Sequence, residues 1–548
     1  MTVLTPPVPG LSRVRRFAAL AVICLAELLV VLDNTVVNVA LPSLGVELRT
    51  SVSGLQWVVD AYTLTFAGLL LAFGNLGDRY GRRRIMVVGL VGVAAMSTAG
   101  ALSGSLEQVI AARAAMGVFA AAVFPATLAL IINIFTDARE RALAIAAWTA
   151  MAGFAIAIGP TAGGWLLEHF SWHSVFWMNV PVAAVAVLAV LALVPESRAT
   201  TVGRFDLVGI VTSVVGITVL VWAIIEAPHH GWLSPTTLTA ATLAVVALAA
   251  FVWRELRVTH PILDLRLFRN RRFALPALAI AVAYFSLFGF LFLITQYFQG
   301  VREYSPLAFG IASLPFAVAV ALGAPIATLL AQRVGAAAVI VLGLAFTAVG
   351  LFIAGTVEVD SSYLTVVLPS MVSMALGIGI VQGPATESIM STLPLDQAGA
   401  GSAVNDTTRE IGGTLGVAVL GSIVASYYTT RIRPALDAVP ATLMTDDQKD
   451  FASASVLSVL EIRKADLPAF LDSRREELIL TMKTTVLEGV TTASLVASGA
   501  VVLAAIAVAV FMPWRPDGRG TMLAFRDGDR TVAFRDGDRT VAFRDGDE

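Results

Sequence analysis

Asp33, Asp60 and Arg113 each lie inside a long apolar run. A charged side chain at the centre of a membrane span costs about 2.5–3.5 kcal/mol on insertion scales, so such residues are functional candidates by default. At 1.5 Å per residue, Asp33 sits about 24 Å along its run. Asp60 and Arg113 each sit about 9 Å from the opposite-side start of theirs. In a hydrocarbon core about 30 Å thick, all three fall in one slab. An acid whose surroundings alternate between a paired base and an apolar cavity can load and release a proton. That is the requirement for coupling transport to a proton gradient. The other reading is a fixed salt bridge that ties helices together, although buried pairs are poor stabilisers for their cost.

Gln56, Trp57 and Tyr62 flank Asp60 and read as the lining of a cavity. An acid among aromatic rings suits a lipophilic cation, through charge and cation–π attraction. Trp57, near the end of its run, also reads as an interfacial anchor. Asn34 and Asn38 follow Asp33 on the first run and complete the expected binding set.

These residues need membrane helices to hold them. The chain has 548 residues, 57% hydrophobic and only 14% charged, with a mean hydropathy of +0.81. Soluble globular proteins carry about 25% charged residues. The class is therefore polytopic membrane protein. The formal net charge of -2 selects no partner. The single cysteine, Cys24, excludes an intrachain disulfide. Arg13, Arg15 and Arg16 precede a run that continues to Leu44, too long for a signal-peptide core, so a retained first span is expected.

With about 20 residues per crossing, candidate spans fall at 17–44, 54–73, 85–103, 107–133, 142–166, 175–194, 206–226, 236–253, 273–299, 306–331, 336–355, 362–388, 402–427 and 488–512. Alternate loops carry Arg79, Arg82, Arg83 and Arg84, then Arg139 and Arg141, then Arg198 and Arg204, then six arginines from Arg254 to Arg272. The intervening loops carry Glu107, Glu168, His229, Glu358 and Asp360, with Arg49 and Arg302 as exceptions. The positive-inside rule then places both termini in the cytoplasm.

The loop after Phe73 reads Gly74-Asn75-Leu76-Gly77-Asp78-Arg79-Tyr80-Gly81-Arg82-Arg83-Arg84. It resembles the loop between the second and third helices of major facilitator superfamily transporters. The stretch Leu32-Asp33-Asn34-Thr35-Val36-Val37-Asn38-Val39-Ala40-Leu41-Pro42 resembles the first-helix signature of that superfamily's fourteen-span drug:proton antiporter branch. Arg113-Ala-Ala-Met116-Gly117 resembles the fourth-helix R-x-x-Q-G, with Met116 in place of the glutamine. The run from Gly153 through Gly159, Pro160, Gly163 and Gly164 is similar to the G-P-x-x-G-G motif of exporters. A proline kinks a helix and glycines admit a close neighbour. The resemblance implies a gating set of Gly74, Asp78, Arg82, Gly153, Gly159, Pro160, Gly163, Gly164 and Arg409. Asp78 would cap the thirteenth span near Gly401, where an acid is favourable at the positive end of the helix dipole, and Arg82 would join that latch. Arg409 would face Glu387 or the neighbourhood of Glu410.

The implied fold is all-α: two six-helix bundles with two inserted spans, built from repeats. The expected order is a cytoplasmic N-terminus at 1–16, an N-terminal bundle at 17–194, inserted spans and linkers at 195–272, and a C-terminal bundle at 273–512 with an extracellular insert at 428–487. A cytoplasmic tail at 513–548 follows. It repeats A-F-R-D-G-D from Ala524, Ala533 and Ala542, and disorder is expected there. The implied activity is proton-driven export of amphipathic, cationic or zwitterionic drugs from a bacterial plasma membrane by a monomer. Its partners would be small molecules and the bilayer, not nucleic acid. The alternatives are a dedicated exporter of one metabolite, antibiotic or siderophore, and a non-transporting receptor. No Walker loop, His/Cys metal cluster or nucleophile–base pair is found, so neither an enzyme nor ATP-driven transport is expected, and no cofactor besides protons.

Overall fold

The computed structural model describes residues 12–198, 206–258, 263, 265–392, 398–440, 444–464, 472–514, 523–527, 530–534 and 542–544. Among the described residues, twelve helical segments are long and apolar enough to cross a membrane, and the bent helix Val52–Tyr80 makes thirteen. Ala138–His169, at 32 residues, is a further long helix, in keeping with the fourteen spans expected. The first six are α1 (Arg13–Glu47), α2 (Val52–Tyr80), α3 (Arg82–Ala101), α4 (Leu106–Ile134), α5 (Ala138–His169) and α6 (His173–Leu193). The inserted pair is α7 (Leu207–His230) and α8 (Pro235–Glu255). The last six are α9 (Arg271–Val301), α10 (Pro306–Ala331), α11 (Ala336–Ala354), α12 (Tyr363–Ser391), α13 (Ala398–Asp437) and α14 (Asp472–Phe511).

Local chemistry sets the helix ends. Ser12, Ser51, Ser105, Asp206, Ser234 and Ser305 each accept a hydrogen bond from a backbone N–H in the first turn that follows, satisfying donors the helix cannot use internally. Gly81 turns the chain from α2 into α3 at φ 112°, a backbone region open chiefly to glycine. Helices α1 to α6 pack as one bundle and α9 to α14 as another, while α7 and α8 pair with each other and α7 also rests on α2 and α13.

The face carrying Arg79, Arg82, Arg83 and Arg84 is called the basic face below. Toward the opposite face the bundles are joined directly. Gln299 donates to the Val39 carbonyl at 2.9 Å, and Thr161 donates to the Gly310 carbonyl at 3.2 Å. The insert adds a wedge here. After the helix Asp446–Ala454, the turn Val456–Ser458 buries Leu457 completely. A Cβ at Gly45 of α1 would stand 2.7 Å from the Leu457 side chain, and one at Gly300 of α9 would stand 3.2 Å from it. Leu457 therefore touches both bundles. In the insert, the last helix is described from Asp472; residues 465–471 lie outside those described.

Beyond Trp514, the described residues of the tail are strands. Leu523–Asp527 (β1), Arg530–Phe534 (β2) and Ala542–Arg544 (β3) form an antiparallel meander in the order β1-β2-β3. Ala524 pairs with Ala533, and Ala533 with Ala542, so successive repeats meet in phase. The apolar cores, Met-Leu-Ala-Phe in the first repeat and Val-Ala-Phe in the next two, suit a pleated ladder, a local preference that the charge-rich composition hides.

Candidate functional site

Asp33 of α1 and Arg113 of α4 form a completely buried ion pair, Oδ2 to Nη1 at 2.5 Å. Arg113 Nε donates to the Val58 carbonyl of α2 at 3.1 Å. Its guanidinium lies 4.2 Å from the centre of the Tyr62 ring. Asn179 of α6 donates to Asp33 Oδ1 at 2.6 Å and reaches Ser97 of α3 at 3.0 Å. Five helices of one bundle thus converge on a single carboxylate–guanidinium contact. Removing one member leaves the other charge buried and uncompensated, which costs far more than the intact pair contributes.

Asp60 is not part of this cluster. Val58 and Tyr62, which face Arg113, lie about 200° around α2 from Asp60 at 100° per residue. The three residues share a depth, but Asp60 points away. Its carboxyl is fully buried and, among the described residues, meets only the Thr63 hydroxyl, at 3.5 Å. Thr63 in turn accepts from Thr414 of α13 at 3.0 Å, and Asp60 Oδ2 has no partner among the described residues. Asp60 therefore sits at the seam between the bundles.

The aromatic and amide lining expected beside Asp60 is already engaged within the protein. Gln56 donates to the Val417 and Ala418 carbonyls of α13, each at 2.9 Å. Trp57 is neither a bare interfacial anchor nor free lining: its indole N–H donates to Glu226 of the inserted α7 at 2.9 Å. Tyr62 belongs to the ion-pair pocket and donates to the Val30 carbonyl at 3.4 Å. Helical periodicity puts these residues on three sides of α2, so one contiguous cargo face is not formed. Asn34 and Asn38 are buried on α1, and each leaves its Oδ1 without a partner among the described residues.

Three contributors are missing from the sequence-derived set. Asn179 is a neutral residue whose role appears only when α6 packs on α1. Glu27 is fully buried on α1 with neither carboxyl oxygen partnered among the described residues. It carries the same signal as Asp33, an acid within an apolar span. Asp406 supplies the charge that Arg409 meets, at 3.7 Å. Arg409 also donates to Thr386 at 3.2 Å, whereas the Glu387 proposed as its partner is exposed.

Among the gating residues, Gly159 and Gly163 bring α5 against α1, where added Cβ atoms would stand 2.0 Å from Thr35 Oγ1 and 3.1 Å from Val36. Gly164 faces the other bundle, where its Cβ would stand 2.4 Å from the Pro306 carbonyl. Pro160 abuts the same bundle, its carbonyl 2.5 Å from the position of a Cβ on Gly310. Gly153 has nothing within 4 Å of its Cβ position, and Gly74 has only Pro125, at 3.6 Å. Asp78 pairs with Arg82 of its own bundle at 2.7 Å; the cap expected near Gly401 falls at the start of α13, where residues 393–397 and the side chains of 398–403 lie outside those described. The i,i+4 spacing of Asp78 and Arg82 makes that pairing local.

Comparison with known proteins agrees with this architecture. The profile of the Major Facilitator Superfamily matches residues 23–417. The multidrug efflux pump LfrA of Mycolicibacterium smegmatis is 39% identical over 84% of this chain and 91% of its own length. The tetracenomycin C resistance and export protein of Streptomyces glaucescens is 34% identical over 77% of this chain and 78% of its own. A bacterial homolog of the human lysosomal transporter Spinster, in an inward-facing and occupied conformation, superposes with a TM-score of 0.61 at 16% identity. That match covers 92% of this chain and 98% of the other, and shows a shared fold.

Proposed function

The chain belongs to the Major Facilitator Superfamily, and from that premise we propose that it exports amphipathic, cationic or zwitterionic drugs in exchange for protons. Its relatives are named as a multidrug efflux pump and an antibiotic resistance and export protein, so the transporter class is given and the coupling ion is the inference. The observation that carries it is the enclosed Asp33–Arg113–Asn179 cluster.

A proton arriving on Asp33 cancels the charge that Arg113 and Asn179 now hold. Arg113 is then left with the Val58 carbonyl and the Tyr62 face, and α1 loses its tie to α4 and α6. Because α1 packs on α5 through Gly159 and Gly163, a shift of α1 is transmitted to the contact at Gly164 and Gly310. That contact holds the bundles together on the side opposite the basic face. With the basic face cytoplasmic, protonation from outside and release inside would alternate the access of the seam. A potential of 100 mV supplies about 2.3 kcal/mol per proton, enough for roughly a 50-fold concentration ratio.

Ethidium uptake into inside-out vesicles tests the reading. Uptake should follow an imposed proton gradient and stop when a protonophore collapses it. Uptake that ignores the gradient would reject proton coupling. The antibiotic-specific name of the Streptomyces relative favours a second reading, a dedicated exporter. Resistance confined to one compound across a dye and antibiotic panel would select it.

A further inference from the structure

Several arginines of the basic face are neutralised within the protein. Arg16 meets Glu140 at 2.7 Å, Arg82 meets Asp78 at 2.7 Å, Arg84 meets Glu196 at 3.6 Å and Arg254 meets Asp206 at 2.7 Å. The connection from α8 to α9 is different. Residues 254–272 hold six arginines against two acids, Glu255 and Asp264. Glu255 is buried and accepts the Leu263 backbone N–H at 2.9 Å, while Asp264 lies outside the described residues. Arg257, Arg269 and Arg271 are exposed, and none of them pairs with a carboxylate among the described residues.

Packing gathers these arginines beside apolar surface. Arg266 donates to the Leu256 carbonyl at 3.0 Å, which seats the short 3-10 helix Leu265–Arg269 against the end of α8. That helix buries none of its residues. At three residues per turn, Arg269 follows Arg266 on the same side. The Arg257 guanidinium lies 4.5 Å from the centre of the Trp253 ring, and that of Arg271 lies 5.9 Å from the Phe511 ring at the end of α14. Trp253 is 58% exposed, Leu256 45% and Phe268 36%. Unpaired guanidinium groups thus stand beside open apolar side chains where α8 and α14 end on the basic face.

A guanidinium fork matches phosphate oxygens two at a time, and a tryptophan at a span end settles at headgroup level. We propose that this surface docks an anionic phospholipid, with Arg257, Arg269 and Arg271 on the headgroup and Trp253, Leu256 and Phe268 along the upper acyl chains. A free phosphate would satisfy the arginines and leave the apolar side chains uncovered. Arg254 ties α8 to Asp206 at the start of α7, and Arg271 sits on α14. The docked lipid therefore bridges the inserted pair and the second bundle. This site goes beyond the export reading and does not depend on the coupling ion.

The test places a fluorophore on Val252→Cys, an exposed position one turn before Leu256, in full-length Cys24→Ala protein reconstituted in phosphatidylcholine vesicles. Quenching by acyl-brominated phosphatidylglycerol is compared with quenching by acyl-brominated phosphatidylcholine at equal mole fraction. Each arginine near an anionic surface is worth about fivefold, so phosphatidylglycerol should be preferred about tenfold or more. Raising the salt should shrink that preference, because exposed charges are screened. Arg257→Gln, Arg269→Gln and Arg271→Gln together should abolish it, and lysine at the same three positions should keep most of it. Equal quenching by the two lipids, or a preference indifferent to salt, overturns the proposal with all three arginines in place, so misfolding of a variant cannot conceal a failure. An undiminished preference in the triple glutamine variant overturns it as well. Loss of the preference on adding inorganic phosphate at constant ionic strength would make the surface a simple anion site and overturn the lipid.

Discussion

At the scale of single residues, the two acids Asp33 and Asp60 face different neighbours. Asp33 is enclosed by Arg113 and Asn179, while Asp60 faces the seam through Thr63 and Thr414. Asp33→Asn should abolish gradient-driven efflux yet preserve exchange of labelled for unlabelled ethidium down its own gradient, measured in proteoliposomes. Asp60→Asn should keep the response to the proton gradient and alter the ranking of cargoes. Equal loss of both activities in both variants would mean that the two acids act as one unit. Arg113→Ala should destabilise the protein by about 3–5 kcal/mol, because it strands a buried charge; thermal unfolding in detergent reads this directly. The Asp33–Arg113 pairing was legible in the sequence because depth along a helix follows from counting residues. The exclusion of Asp60 was not, since depth without azimuth cannot say which side of α2 a residue faces. Asn179 was illegible for another reason: an asparagine gains meaning only from the neighbour that packs on it.

At the scale of elements, two contacts close the side opposite the basic face. Gly164 accepts the backbone of Pro306 so closely that a side chain there must push the bundles apart. Gly164→Val should destabilise the closed state by about 1–3 kcal/mol, a population shift of roughly 5- to 150-fold. Increased labelling of a cysteine placed at Leu457, in a Cys24→Ala background, would report it; unchanged labelling would count against the glycine contact as a gate. The Leu457 wedge makes its own prediction. A disulfide between Gly45→Cys and Leu457→Cys in that background should block efflux, and a reductant should restore it. The insert is held by Glu303, which meets Lys483 at 2.6 Å and Arg463 at 2.7 Å. Partial burial opposes charge on Glu303, but the two cations outweigh it and hold its carboxyl below the usual range. A lowered folded value means stability that is present above the unfolded value of about 4.3 and is lost as pH falls through the folded value. Hydrogen exchange of residues 456–464, corrected for intrinsic rates, should therefore rise below about pH 4. Flat exchange would mean that the triad does not tether the insert. The spans themselves were readable from apolar length, but the wedge was not, because the two apolar residues Val456 and Leu457 in a charged insert carry no periodic signal.

At the scale of the whole molecule, the protein is two bundles whose seam is buttressed by the inserted α7. Trp57 reaches Glu226 of α7 at 2.9 Å, and Trp232, just beyond α7, reaches Ser426 of α13 at 3.0 Å. One inserted span thus holds a helix from each bundle at the edge of the seam. On the proposed export cycle, alternating access would require rearrangement at Gly164–Pro306 and at Leu457. The measurement that bears most directly on proton-coupled export is simultaneous recording of ethidium and proton flux in proteoliposomes with an imposed pH gradient. The account predicts opposed fluxes in the wild type, both lost in Asp33→Asn. Ethidium movement without proton counterflow, or equal fluxes in Asp33→Asn and wild type, would contradict it.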